Sequence, residues 1–437
     1  MIRSLYFLPF LFLFSLTGWD PSQDCCAQTV VESSLLEKLG ALPDAEIKKS
    51  RIRAHFEEAY EIHLAQPLDH KDPDAGAFRQ RIHLSHVDFS KPVVMNTEGY
   101  AARGNAPHEL SRILESNQII VEHRYFGESR PETLEWKYLT VAQAAADHHR
   151  IIELFKKIYG GKWITTGISK GGQTCLIHRS FYPDDVDVTV PYVAPINFAL
   201  EDPRIYTFLE NVGDKKTRDR IKQYQVLVLK HRKELLPMLK AYAESKNHVF
   251  SIGLEVAFEY SAVEYPFAYW QYGNSEPDSI PKQGASAQEI FDHLVKVVPF
   301  YLYADSGIRY FEPFFYQACT ELGYYGFETS HLEGLLEAVP HPTNTLFAPK
   351  GVEVKFNPMA MKRVNDFLQE RGNNIIYIYG ETDTWTATGV MLSGKTNALK
   401  IVKKGGSHNT RINNLPDAQR EKVLKALEKW LEIRIAR

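Results

Sequence analysis

Gly167-Ile168-Ser169-Lys170-Gly171 fits the pattern G-x-S-x-G, and its residue types explain one another. A serine on a tight turn between a strand and a helix has its hydroxyl lifted clear of the sheet. Side chains two residues to either side would clash in such a turn. The backbone N–H of Lys170 is then left at a helix N-terminus, where it can stabilise an oxyanion. The pattern is short, but here an apolar strand precedes it and a helical stretch follows. The plain alternative is a glycine-rich turn with a surface serine.

A serine hydroxyl is a poor nucleophile at neutral pH without a base. Ser169 therefore calls for an acid and then a histidine, each after a later strand. Asp383 lies in Gly380-Glu381-Thr382-Asp383-Thr384-Trp385, and His408 in Gly405-Gly406-Ser407-His408-Asn409. His408 would take the serine proton and return it to the leaving amine, with Asp383 orienting the imidazole. Glu381 is the rival acid. The chain has 16 histidines, so the weight rests on His408 standing in a glycine-rich loop directly after the last strand.

A second oxyanion donor is expected from the loop after an early strand, Asn96-Thr97-Glu98-Gly99-Tyr100, through the N–H of Gly99 or Tyr100. Glu98 beside the nucleophile would oppose the build-up of negative charge unless a cation neutralised it. A substrate α-ammonium is one such cation. A structural pairing of Glu98 with Arg103 or Arg124 is the other reading.

The elements that must position these groups follow from apolar periodicity. Ala77 to Val87 alternates as a half-buried strand does. Residues 91–96, 118–122, 163–166 and 186–193 read as short buried strands. Thr140 to Tyr159 has helical spacing, with Thr140 as N-cap and Gly160-Gly161 as the stop, and Lys170 to Phe181 is a second helix. Strands joined by crossover helices imply an α/β class with a mostly parallel sheet, and the serine turn makes it an α/β-hydrolase fold. From about residue 200 to 350 the rhythm is helical, with Lys222 to Tyr242 as one long stretch. Strands return at 374–379 and 398–402, and Pro416 to Ile435 is a terminal amphipathic helix. The expected organisation is a leader over 1–27, core over 28–199, a helical cap inserted over 200–350, and core again over 351–437.

The bulk numbers narrow the classes. The chain has 437 residues, 44% hydrophobic and 24% charged, with a formal net charge of −3. No basic excess exists to meet a row of phosphates, so nucleic acid is not the expected partner. Arg3, the apolar run Leu5 to Leu16 and Cys25-Cys26-Ala27 suit a secretory leader cut after Ala27, and the run is short for a membrane span. The expectation is a secreted or periplasmic protein with no membrane attachment after cleavage, a lipid anchor on Cys25 or Cys26 being the lesser alternative. Only Cys175 and Cys319 would remain, which is no disulfide framework. No metal-ligand pattern and no cofactor motif is present, so none is expected.

Two further segments carry a resemblance. Glu122-His123-Arg124-Tyr125-Phe126-Gly127-Glu128-Ser129-Arg130-Pro131 is similar to the E-H-R-Y-x-G-x-S-x-P segment of the prolyl carboxypeptidase and dipeptidyl peptidase II family. Tyr316-Gln317-Ala318-Cys319-Thr320-Glu321-Leu322-Gly323 resembles the Y-Q-x-C-T-E-x-G segment of that family's cap. Ser169-Lys170-Gly171-Gly172 departs from the usual S-Y-G-G. It resembles instead a sister group, the secreted bacterial prolyl tri- and tetrapeptidyl aminopeptidases of serine peptidase family 37, as does Met95-Asn96-Thr97-Glu98-Gly99-Tyr100. The resemblance spans roughly residues 60 to 415. It implies a serine exopeptidase that releases short peptides from free N-termini, many members preferring proline before the scissile bond, with Ser169, Asp383 and His408 as triad. Glu98 and Glu321 become candidates for gripping the substrate amine, and Gln317 and Trp270 for lining its site. The cluster Tyr260, Tyr265, Phe267, Tyr269, Trp270 and Tyr272 would suit a proline ring, although cap core is the plainer role for most of them. An esterase or lipase, and a catalytically silent binding protein of the same fold, are the competing classes.

Overall fold

The computed structural model describes residues 34–273 and 276–436. The expected leader and its cleavage point lie outside the described residues. The helix Ser34–Gly40, with Leu35 and Leu39 buried one turn apart, belongs to a unit of its own that ends at Ala41. Everything below concerns the second unit, Leu42–Arg437.

One nine-stranded sheet organises that unit. Its strands are β1 (Ala45–Lys49), β2 (Glu58–Asp69), β3 (Asp72–His86), β4 (Val93–Thr97), β5 (Asn117–Val121), β6 (Trp163–Ile168), β7 (Val188–Tyr192), β8 (Ile376–Gly380) and β9 (Leu399–Lys403), in the order β1-β2-β3-β5-β4-β6-β7-β8-β9. The first three pairings, through β3 and β5, are antiparallel; every later one is parallel. β4 to β8 are buried along their whole lengths, apart from Ile168 at the end of β6, as strands covered on both faces must be. β2 instead alternates buried and part-exposed residues. This is the α/β-hydrolase fold, its antiparallel β1–β3 edge being wider than the single strand read from the sequence.

The chain passes from β4 out to β5, then back across β4 to β6. The order therefore reverses between β4 and β6, and a crevice opens there at the carboxyl ends of the strands. Ser169 follows β6, and the loop from Glu98 to Tyr100 follows β4. Two helices back this region. Val141–Phe155 is N-capped by the Thr140 side chain, which accepts from the Gln143 N–H at 3.2 Å. It stops four residues short of the periodic pattern, where the chain tightens into a turn that keeps Lys156 and Lys157 exposed and buries Tyr159. Lys170–Phe181 runs over the length expected.

Between β7 and β8 the long described elements are helices. The stretch read as one helix over 222–242 is two, Lys215–Lys230 and Arg232–Lys246, meeting at His231. The break lets Leu227 and Val228 on one side, and Leu235 and Leu239 on the other, enter a single core around Leu254–Tyr272. That last helix is buried on all sides along most of its length, as befits the middle of a helical layer. Asp417–Leu431 closes the sheet beside β7 and β9.

Candidate active site

Ser169 sits at φ 57° and ψ −122°, a conformation costing about 1–3 kcal/mol for a residue with a side chain. Its N–H donates to the Tyr192 carbonyl on β7 at 2.8 Å, which fixes the turn to the sheet. Gly167 is required by space: a Cβ there would lie 2.3 Å from the carbonyl carbon and oxygen of Gly171. The sharp turn of strand into helix is thus built into the sequence at this point.

Asp383 and His408 meet. His408 Nδ1 and Asp383 Oδ2 are 2.8 Å apart, with Asp383 fully buried. The other carboxylate oxygen accepts the Trp385 N–H at 3.2 Å, so the acid caps a short helical turn and cannot swing away. The His408 N–H donates to the Gln271 carbonyl at 2.8 Å, and Arg411 donates to the His408 carbonyl at 2.9 Å, which pins the loop. Glu381 is exposed and accepts from the Gly405 N–H at 2.8 Å. Ser169 and His408 line one cavity of about 430 Å³. No hydrogen bond joins the two among the described residues; such bonds are commonly long before substrate binds.

The cavity contains two carboxyl groups. Glu98 accepts a bond from Asn96 Nδ2 at 3.0 Å, and burial pushes its pKa up to about 7 against the opposing pull of that bond and of Arg103. Arg124 takes no part in this, because it is buried in a two-bond pairing with Asp147, 2.7 Å each. Glu264 was not singled out from the sequence. It is buried, accepts two contacts from the Tyr325 hydroxyl at 2.8 and 3.0 Å, and is pushed up to about 8 by desolvation. The signal was there: a lone acid in the apolar run Ala262-Val263-Glu264-Tyr265-Pro266-Phe267. Glu264, Phe267, Ala268, Gln271 and Tyr272 all line the cavity, and their spacing is one stripe of the helix Leu254–Tyr272.

The structure also corrects several expectations. Tyr260, Tyr265, Tyr269 and Trp270 pack into the helical core, and only Phe267 and Tyr272 of that cluster line the cavity. Trp270 instead packs against Gly213 and lines a separate small hollow with Tyr206 and Arg218. Glu321 does not line the cavity; its carboxylate accepts the Val141 N–H at 2.8 Å and caps that helix. Gln317 is buried beside His123 and Lys170, again outside the cavity. Tyr100 lines the same cavity as Ser169, and Gly99 packs against Lys170 and the Gly171 backbone. The Glu122-His123-Arg124 segment works as a buckle. Glu122 is fully buried and accepts from Arg81, from the Ala102 N–H at 2.9 Å and from Ser129. Cys175 and Cys319 are buried and free.

A family model described as PS-10 peptidase S37 matches residues 38–437. The chain is 33% identical over 374 residues to a prolyl tri/tetrapeptidyl aminopeptidase of Streptomyces mobaraensis, covering 84% of this chain and 78% of that protein. It is 26% identical over 170 residues to a prolyl carboxy peptidase like protein of Caenorhabditis elegans, covering 35% of this chain and 34% of that one. Among solved structures, the proline iminopeptidase of Mycobacterium smegmatis aligns over 85% of this chain and 99% of its own, at 12% identity and a TM-score of 0.41.

Proposed function

From a chain that belongs to the PS-10 peptidase S37 family, and is a serine peptidase, we propose that Ser169 is the nucleophile, His408 the general base and acid, and Asp383 the residue that orients the imidazole. The observation that carries this is the 2.8 Å Asp383–His408 contact in the wall of the cavity that also holds the strained Ser169. His408 takes the hydroxyl proton as Ser169 Oγ bonds to the scissile carbonyl carbon. The oxyanion is met by the N–H groups of Lys170 and of Tyr100 or Gly99. His408 then protonates the departing amine, and water completes the cycle through an acyl-enzyme.

The finer reading is an exopeptidase that removes tri- or tetrapeptides from free N-termini, with proline before the cut. Two features support it. Glu98 and Glu264 place carboxyl groups in a largely aromatic cavity, and a substrate α-ammonium would supply the charge they lack. Flat walls such as Phe267, Trp385 and Phe347 suit a pyrrolidine ring, which brings no N–H to satisfy. The helical stretch over 200–350 acts in this reading as the cap that closes the cavity, and residues 1–27 as a leader removed on export. No described helix is long and apolar enough to cross a membrane.

Mass spectrometry of products from paired free and N-acetylated peptides, with proline at positions two to five, is the test. Release of tri- and tetrapeptides from the free series alone is expected. Equal cleavage of the acetylated series, or faster turnover of short acyl esters than of any peptide, would remove the exopeptidase reading. A Ser169→Ala variant that kept its activity would remove the nucleophile assignment.

A further inference from the structure

Lys170, the residue after the nucleophile, contributes a backbone N–H to the site, but its side chain does something separate. It is 3% exposed, and no carboxylate pairs with it among the described residues. Its Nζ donates to the Gly99 carbonyl at 2.7 Å and lies 5.5 Å and 5.4 Å from the ring centres of Tyr100 and Phe126. Burial drives its pKa well below the usual lysine range. An apolar side chain would fill this space without that desolvation cost. What the amine adds is one hydrogen bond to one carbonyl and contact with two ring faces.

That carbonyl belongs to the peptide whose N–H is Tyr100's. A peptide unit is planar and trans, so its C=O and N–H point in opposite directions and turn together. Holding the Gly99 oxygen fixes where the Tyr100 N–H aims. The backing is tight: a Cβ on Gly99 would fall 2.6 Å from Lys170 Cβ and 2.7 Å from the Gly171 nitrogen. On its far side the loop is held by the His123 N–H, which donates to the Tyr100 carbonyl at 3.1 Å.

We propose that the Lys170 side chain is a positioning residue of the oxyanion hole, clamping the Gly99–Tyr100 peptide so that the Tyr100 N–H faces the carbonyl oxygen under attack. This rests on the assignment of Ser169 as nucleophile. One residue then serves both halves of the hole. Its own N–H is one donor, and its amine aims the other from beneath.

The test compares Lys170→Met with the unaltered protein in steady-state kinetics on a free-amine peptide, and in inhibition by a peptide boronic acid that forms a tetrahedral adduct. Loss of one oxyanion donor costs about 10²–10³ in kcat, and a misaimed donor less, so a fall of about 10- to 100-fold is expected. KM should stay within about threefold, because the interaction belongs to the transition state. The inhibition constant of the boronic acid should rise by the factor that kcat falls, and the acid limb of the pH profile should not move. A kcat loss below about threefold, a KM change as large as the kcat change, or unaltered boronic acid affinity would overturn the proposal. Should the Met variant not fold, the same criteria apply to Lys170→Gln, which keeps a polar side chain too short to make the 2.7 Å bond. Ser169→Ala is measured alongside. Activity surviving there sinks the nucleophile assignment, whereas a dead Ser169→Ala beside a normal Lys170→Met sinks only the clamp.

Discussion

Replacing Glu264 by Gln should make the empty protein more stable at neutral pH, and the gain should grow with pH. In the folded protein burial against Tyr325 pushes the carboxyl up to about 8 from an ordinary value of 4.5. A raised acid pKa means that the folded state binds more protons than the unfolded one between those values. Stability is full below about pH 4.5 and is lost as pH rises toward about 8. Each pH unit inside that window is worth about 1.4 kcal/mol, so the carboxyl costs about 3 kcal/mol at pH 7 and about 5 kcal/mol above pH 8. Glutamine has nearly the same shape, can accept the Tyr325 hydroxyl through its amide oxygen, and does not titrate. The assay is urea unfolding of both proteins without peptide at pH 5, 6, 7 and 8. The difference between them should widen by about 1 kcal/mol or more per unit over that range. A difference that stayed flat would mean that Glu264 is not held as an uncharged buried acid, and its part in amine binding would lose its basis.

Asp383→Asn should leave KM nearly unchanged and lower kcat by about 10⁴, the loss seen when other triads hold the imidazole in the wrong tautomer; stopped-time product analysis is sensitive enough to check it. Glu98→Gln should raise KM for free-amine peptides by about 10- to 100-fold and leave blocked substrates unaffected, the usual weight of a charge-assisted hydrogen bond. Because burial pushes the Glu98 carboxyl up to about 7, preference for free over blocked peptides should strengthen as pH rises from about 5 toward 7, where the substrate amine is still charged, and stay level over that range in the variant. An equal effect on both substrate types would refute the amine-binding role of Glu98.

The chemistry was legible in the sequence where it is local. Gly167 to Gly171 is a turn whose geometry is dictated within five residues, because a side chain at 167 would strike the Gly171 backbone. The parallel strands were legible because burial on both faces leaves short apolar runs. β1 and β2 were not, since half-buried strands such as β2 mix polar and apolar residues, and antiparallel pairing with their neighbours defines them. Glu321 and Gln317 sat in a motif that pointed to substrate, yet the fold turned one to a helix N-terminus and the other into a packed interior.

The helix Leu254–Tyr272 shows the division most clearly. It is buried on every side along most of its length, so no periodic pattern says which stripe meets the cavity at Ser169 and which meets the helical core. From the sequence this stretch reads only as part of a helical rhythm rich in aromatic residues. Its rotation, which brings Glu264 and Phe267 to the cavity and sends Tyr265 and Trp270 away, is set by packing against helices dozens of residues distant. The sequence by itself determined the tight turn at Ser169, the order Ser169, Asp383, His408 along the chain, and the parallel strands whose ends carry them. Only the tertiary structure decided which buried charges share that space, because a charge's neighbours across the fold, and not along the chain, set whether it is paired, capped or left waiting for a cation.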